Sequence, residues 1–174
     1  MLDQIIKKFS TINLNHKEIK PIQSCDVIAF ENKHHFSLPP SLVSWLHFSN
    51  GSILGGGIFG INNGVESLQM EDHLQNNPAM KTGNCLPVAG DGCGNYFVIN
   101  LDSTCNLYEA VFFWDSTSEI QNPLYIVASD FNHLLFFLIE QEKGVESWPF
   151  QQEYVLLHDS ALAKFEDYLP WRNL

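Results

Sequence analysis

The chain has 174 residues, of which 45% are apolar and 13 are Phe, and it carries a formal charge of -11 from 20 acids against 9 Lys and Arg. That length suits one domain with its own core, and the bulky apolar content excludes a disordered or fibrous chain. The acidity argues against a surface built for nucleic acid phosphates or anionic lipid, which needs clustered Lys and Arg, and no window approaches the roughly 18 apolar residues of a membrane span.

The charge is uneven. Lys7, Lys8, Lys17 and Lys20 against Asp3 and Glu18 leave +2 on residues 1–20 and -13 on the rest. Any charged partner is therefore expected to be basic, although acidity on this scale also serves solubility alone. Cys25, Cys85, Cys93 and Cys105 are scattered behind an N-terminus without a secretion signal, so reduced thiols and a cytoplasmic setting are expected.

Leu2, Ile5, Ile6 and Phe9 form the stripe of a short amphipathic helix. Ser24 offers an N-cap oxygen to a second helix reaching about His35, with Asp26 in its positive first turn. Pro39-Pro40 suits the start of a third helix, whose Leu42, Trp45 and Leu46 share a face before Asn50-Gly51 stops it. Ile53 to Ile61, interrupted by Gly55, Gly56 and Gly57, reads as a short strand pair or a bulged strand, and Asn62 to Gly64 as a turn. Val65 to Gln75 is expected to be helical.

Beyond Pro78 the apolar period shortens to two. Tyr96 to Leu101 and Tyr108 to Asp115 read as neighbouring antiparallel strands joined through Asp102 to Leu107, and Leu124 to Ala128 as a further strand. Ser129 or Asp130 caps a helix whose Phe131, Leu134, Leu135 and Leu138 repeat at helical spacing. Trp148 to Leu157 looks extended, and Asp159 caps a last helix with Leu162, Phe165 and Leu169 inward. Helices, then strands, then helices give a single α+β domain with a mostly antiparallel sheet flanked by helices.

The stretch most like an active site is Leu86 to Asn100, LPVAGDGCGNYFVIN. Its spacing is G-x-G-x-G and it opens a strand, whereas a dinucleotide fingerprint needs G-x-G-x-x-G opening a helix. No Lys follows for a phosphate loop, and Asp91 and Asn95 are too few oxygens for a calcium loop. Small residues that accept positive φ between two apolar runs make a tight reversal, with Cys93 at its tip.

His34-His35 would point about 100° apart on a helix and so do not easily share a metal. Neither H-E-x-x-H, C-x-x-C nor G-x-S-x-G occurs, so no cofactor, metal or catalytic residue is assigned. Glu71-Asp72 and Asp115 with Glu119 are the local acidic clusters; a solvated face explains both, and they are also the candidate partner contacts.

Taken together, Glu31 on a helix, LPPSLVSWLHFSNG (Leu38 to Gly51), a strand ending in IFGI, Glu66 and Leu68 at a helix start, the GDGCGN reversal, Trp114-Asp115 closing a strand and SDFNHLL opening a helix form one ordered pattern. It resembles the SUKH superfamily in its Smi/Knr branch over about residues 24–142. The N-terminal helix (1–20) and a C-terminal extension (145–174) lie outside it. The resemblance implies a compact α+β fold in which Glu31, Leu38, Pro39, Asn50, Gly51, Asp91, Gly92, Gly94 and Asn95 are framework positions. It also implies a non-enzymatic, protein-binding role, most often as a bacterial immunity protein neutralising a cognate toxin domain. An intracellular regulator of cell-wall glucan synthesis, as in the fungal relative, is the alternative, and a small ligand-binder or enzyme using the glycine turns is a second.

Overall fold

The sheet is assembled from runs too apolar to face water on either side. In the computed structural model, which describes residues 1–12, 19–117 and 123–173, they form β1 (Cys85–Gly90), β2 (Tyr96–Asn100), β3 (Val111–Trp114) and β4 (Tyr125–Ala128). The strands lie in the order β1-β2-β3-β4, each antiparallel to the next. Every residue of β1 and β3 is buried, so both faces are covered, and strict alternation is lost where Phe97, Val98 and Ile99 are all inside.

The helices are α1 (Leu2–Phe9), α2 (Ser24–His34), α3 (Pro40–Leu46), α4 (Met70–Asn76), α5 (Pro78–Thr82), α6 (Phe131–Glu142) and α7 (Gln152–His158). The longest, α6, starts at Asp130, whose carboxylate accepts from the His133 amide at 2.9 Å as an N-cap should. Seven of its 12 residues are buried, and it packs against α1, α3, β4 and the segment around Leu54. Trp45 of α3, fully buried, meets Phe9 of α1 edge to face at 5.1 Å. The sheet and this helical layer bury one continuous apolar core.

Several expectations shift in detail. The second helix begins at Ser24 itself with Gln23 as its cap residue, because Ile22 is already anchored by its amide to the Leu46 carbonyl. The segment Ile53 to Ile61 makes single bridges, Ser52 to Ile58 and Ile58 to Ala89, around a 3₁₀ turn at Leu54–Gly56. The expected helix from Val65 to Gln75 is a 3₁₀ turn at Glu66–Leu68 followed by α4, and α5 continues from Pro78. The strand expected from Tyr108 starts at Val111, since Glu109 takes a φ of 69° and breaks the extended run.

The C-terminal expectation needs a larger correction. Trp148 to Leu157 is not extended throughout: Gln152–His158 is helical, its period hidden because Val155 alone is buried. Asp159 does not spend its side chain on the last helix. It is buried, and its Oδ2 accepts from the Ser129 amide at 2.7 Å, tying the tail to the junction of β4 and α6. Residues Ser160–Tyr168 then run as 3₁₀ turns, with Leu162 and Phe165 inward as expected. The extension completes the core: Trp148 meets Phe97 and Phe113 at 5.0 and 5.2 Å.

Candidate functional site

The glycine-rich reversal joins β1 to β2 and its polar groups are consumed internally. Asp91 Oδ1 accepts from the amides of Cys93 at 2.7 Å and Asn95 at 3.0 Å, and Oδ2 accepts from Asn95 Nδ2 at 2.8 Å. Gly92 and Gly94 take φ of 78° and 99°, which side chains rarely adopt. Asn95 Oδ1 in turn accepts from the Ser116 amide at 3.2 Å, linking the turn to the end of β3. None of the four cavities described is lined by a residue of 91–95. The loop that a phosphate or cation would need is already filled by its own carboxylate.

The other framework residues also hold backbone. Glu31 Oε1 accepts from the Leu38 amide at 2.7 Å, fixing the entry to α3 behind the buried Leu38 and Pro39. Buried Asn50 donates to the Ile61 carbonyl at 2.6 Å and accepts from the Ile61 amide at 2.8 Å, as a neighbouring strand would. Gly51, at φ 114°, lets Asn63 approach: a Cβ there would stand 2.7 Å from Asn63 Nδ2.

One constellation escaped the sequence reading. Ser129 Oγ, Asp130 Oδ1 and Asp159 Oδ2 lie 3.3, 3.0 and 3.9 Å from His133 Nδ1. A hydrolytic triad needs the hydroxyl on one ring nitrogen and the carboxylate on the other, whereas all three oxygens here crowd the same nitrogen. Burial works to lower the His133 pKa, but the hydrogen bond and charge of Asp130, with the charge of Asp159, outweigh it and raise it. The cluster acts as a helix cap with a charged partner.

A second histidine sits differently. His34 is buried beside Phe30 and Phe36, and neither ring nitrogen has a hydrogen-bond partner; Nε2 lies 3.7 Å from Glu71 Oε1. Burial lowers its pKa, opposed by Glu71 and reinforced by Lys81, Lys33 and His35. With His35, Lys81, Asn84, Asp102 and Tyr108 it borders a polar recess of about 400 Å³. Among the described residues no group of three or more His, Cys, Asp or Glu could hold a metal ion.

The expected contact acids fare unequally. Asp72 is exposed at the start of α4. Its neighbour Glu71 is largely covered and held in an ion pair with Lys33 and a hydrogen bond from Gln75, and the Lys33 hydrogen bond holds its carboxyl below the usual range against burial. Asp115 is half-buried and accepts from the amide and hydroxyl of Thr117 at 2.8 and 2.7 Å. Glu119 lies outside the described residues.

An apolar groove of about 320 Å³ lies between β4 and the C-terminal segment. It is lined by Tyr125, Ile126 and Val127 of β4 and by Trp148, Phe150 and Trp171 among others from the C-terminal part of the chain. Most of that lining lies beyond the framework pattern, which is why the pattern gave no hint of it.

The comparisons with known proteins agree with the framework. The SMI1 / KNR4 family (SUKH-1) model matches residues 21–136, from the approach to α2 into the middle of α6. No curated protein and no solved structure is significantly similar to the chain. Among the described residues no helix is long and apolar enough to cross a membrane.

Proposed function

Because the chain belongs to the SMI1 / KNR4 family (SUKH-1), we propose that it works as a non-enzymatic protein-binding module, an immunity protein that neutralises a cognate toxin domain. The observation that carries this reading is the charge of the matched segment. Within residues 21–136 the only Lys or Arg are Lys33 and Lys81, against eleven Asp and Glu. Lys33 is already paired with Glu71.

Such a surface attracts a basic protein and speeds its encounter. Toxin domains that act on nucleic acid carry the complementary charge, since their own substrate is a polyanion. Asp72 is the contact acid best presented for this, with Glu71 held back by Lys33 and Asp115 half-buried and bonded by Thr117. The setting is cytoplasmic, where a toxin would otherwise act.

The glycine turn supports a reading without chemistry: it spends Asp91 on its own backbone rather than on a ligand. Co-expression with the toxin-like product of an adjacent gene tests the proposal. Rescue of growth with recovery of a stable complex is expected. Neither rescue nor a complex, together with a cell-wall defect in a deletion strain, would replace it with the glucan-synthesis role.

A further inference from the structure

The recess beside His34 is built differently from the glycine turn, because its polar groups are left unspent. Backbone hydrogen bonds set its walls. The Asn84 amide donates to the Lys81 carbonyl at 3.2 Å, and the Asn84 carbonyl accepts from the Leu101 amide at 2.8 Å, so the end of α5 stands beside the end of β2. A further wall comes from α2, which stops at His35 with φ 61°; the Phe36 ring then stacks on the buried His34 ring at 5.6 Å.

Lys81 and Asp102 both line this recess, and among the described residues neither belongs to an ion pair. The only other Lys or Arg within residues 21–136 is Lys33, already taken by Glu71. After burial, and against Glu71, the charge of Lys81 helps to lower the pKa of His34, so it acts on this wall. Asp102 is kept ionised by Thr104, whose hydroxyl and amide donate to Oδ1 at 2.6 and 2.9 Å and hold the carboxyl below the usual range. Its Oδ2, and the side chains of Ser37, Asn84, Ser103 and Tyr108, have no hydrogen-bond partner among the described residues.

From this juxtaposition of one unpaired charge of each sign we infer that the recess binds a small zwitterion, a free α-amino acid, with its carboxylate on Lys81 and its ammonium on Asp102. The volume of about 400 Å³ falls within the roughly 300–1,000 Å³ of small-molecule sites. The hydroxyls of Ser37 and Ser103 and the amide of Asn84 supply further donors and acceptors for the two charged ends. The rings of Phe36 and Tyr108, with Leu74 and Leu101, suit an apolar side chain.

Charge selects this occupant over its rivals. A simple anion meets Asp102 at short range and a chain of -11 at long range, and a simple cation meets Lys81. A zwitterion is neutral from afar and matched on contact, so each half of it excludes one class of competitor. The recess lies inside the family match but uses none of the framework positions, and the inference stands apart from the immunity reading.

Calorimetric titration of the full chain at neutral pH with each of the twenty common L-amino acids tests the inference. At least one with an apolar side chain is expected to bind. It should bind about tenfold more tightly than its N-acetyl derivative, which lacks the ammonium, and than its amide, which lacks the carboxylate. Lys81→Gln and Asp102→Asn should each weaken it about tenfold, with Lys143→Gln, a charge removed outside the recess, unchanged. Circular dichroism shows whether Asp102→Asn stays folded; Lys81 is exposed, and Lys81→Gln carries the test if it does not. No amino acid bound, equal binding of either blocked derivative, or binding indifferent to a folded variant would overturn it.

Discussion

Gly56 and Gly92 meet backbone to backbone: a Cβ placed on Gly56 would stand 2.3 Å from the Gly92 amide nitrogen and 2.6 Å from the Asp91 carbonyl carbon. The two glycine-rich stretches, apart in sequence, therefore make one structural unit at the edge of the sheet. Gly56→Ala should destabilise the fold by about 2–4 kcal/mol, since neither backbone can yield cheaply and φ is 102°. Gly64→Ala also carries a positive φ of 76° but meets nothing within 4 Å, so about 1 kcal/mol is expected. Urea unfolding of the pair measures the difference; equal losses would contradict the close approach.

Asn50 replaces a strand partner for Ile61, and its amide is buried. Asn50→Ala should cost about 2–4 kcal/mol by leaving an N–H and a C=O of Ile61 unpaired. Asn50→Asp keeps the acceptor, loses the donor and buries a charge, so it should do no better. A loss below about 1 kcal/mol in urea unfolding would show that water replaces the side chain.

His34 and His133 give opposite pH slopes. The His34 pKa is lowered in the folded chain from its ordinary 6.5, so the unfolded chain takes up that proton first and stability falls as pH drops below about 6.5. The His133 pKa is raised, so its contribution is full below about 6.5 and is lost as pH rises through the folded value. Urea midpoints across pH should show a shallower acid slope in His34→Leu and a shallower slope above about 6.5 in His133→Ala.

The cysteines should separate by reactivity. Burial pushes the Cys85 thiol up to about 11, whereas Cys25 and Cys93 are exposed. Iodoacetamide should label Cys25 and Cys93 in the native chain and reach Cys85 only on unfolding, as read by peptide mass. Native labelling of Cys85 would contradict its packing.

Much of this fold is legible in the residues, and the reasons differ by element. Helix α6 announces itself because its apolar spacing and its Asp130 cap agree, and the reversal at Asp91 because only small residues and a short acid can close it. Helix α7 does not, since Val155 alone is buried and the aromatic run before it imitates a strand. The polar sites were hidden for another reason. Asp159 reaches Ser129 and His34 approaches Glu71 across long stretches of chain, and no local spacing encodes a meeting that the tertiary fold creates. The groove was hidden in the same way, most of it belonging to a segment outside the family pattern.

The central claim is that this acidic chain binds a basic protein and silences it. Titrating the purified chain into the purified toxin-like product of the adjacent gene, calorimetrically and at low and high ionic strength, tests it directly. A one-to-one complex that abolishes the toxin's activity and weakens as salt rises is the predicted result, because opposite charges set the encounter. No heat of binding, with toxin activity unchanged at either ionic strength, would contradict it.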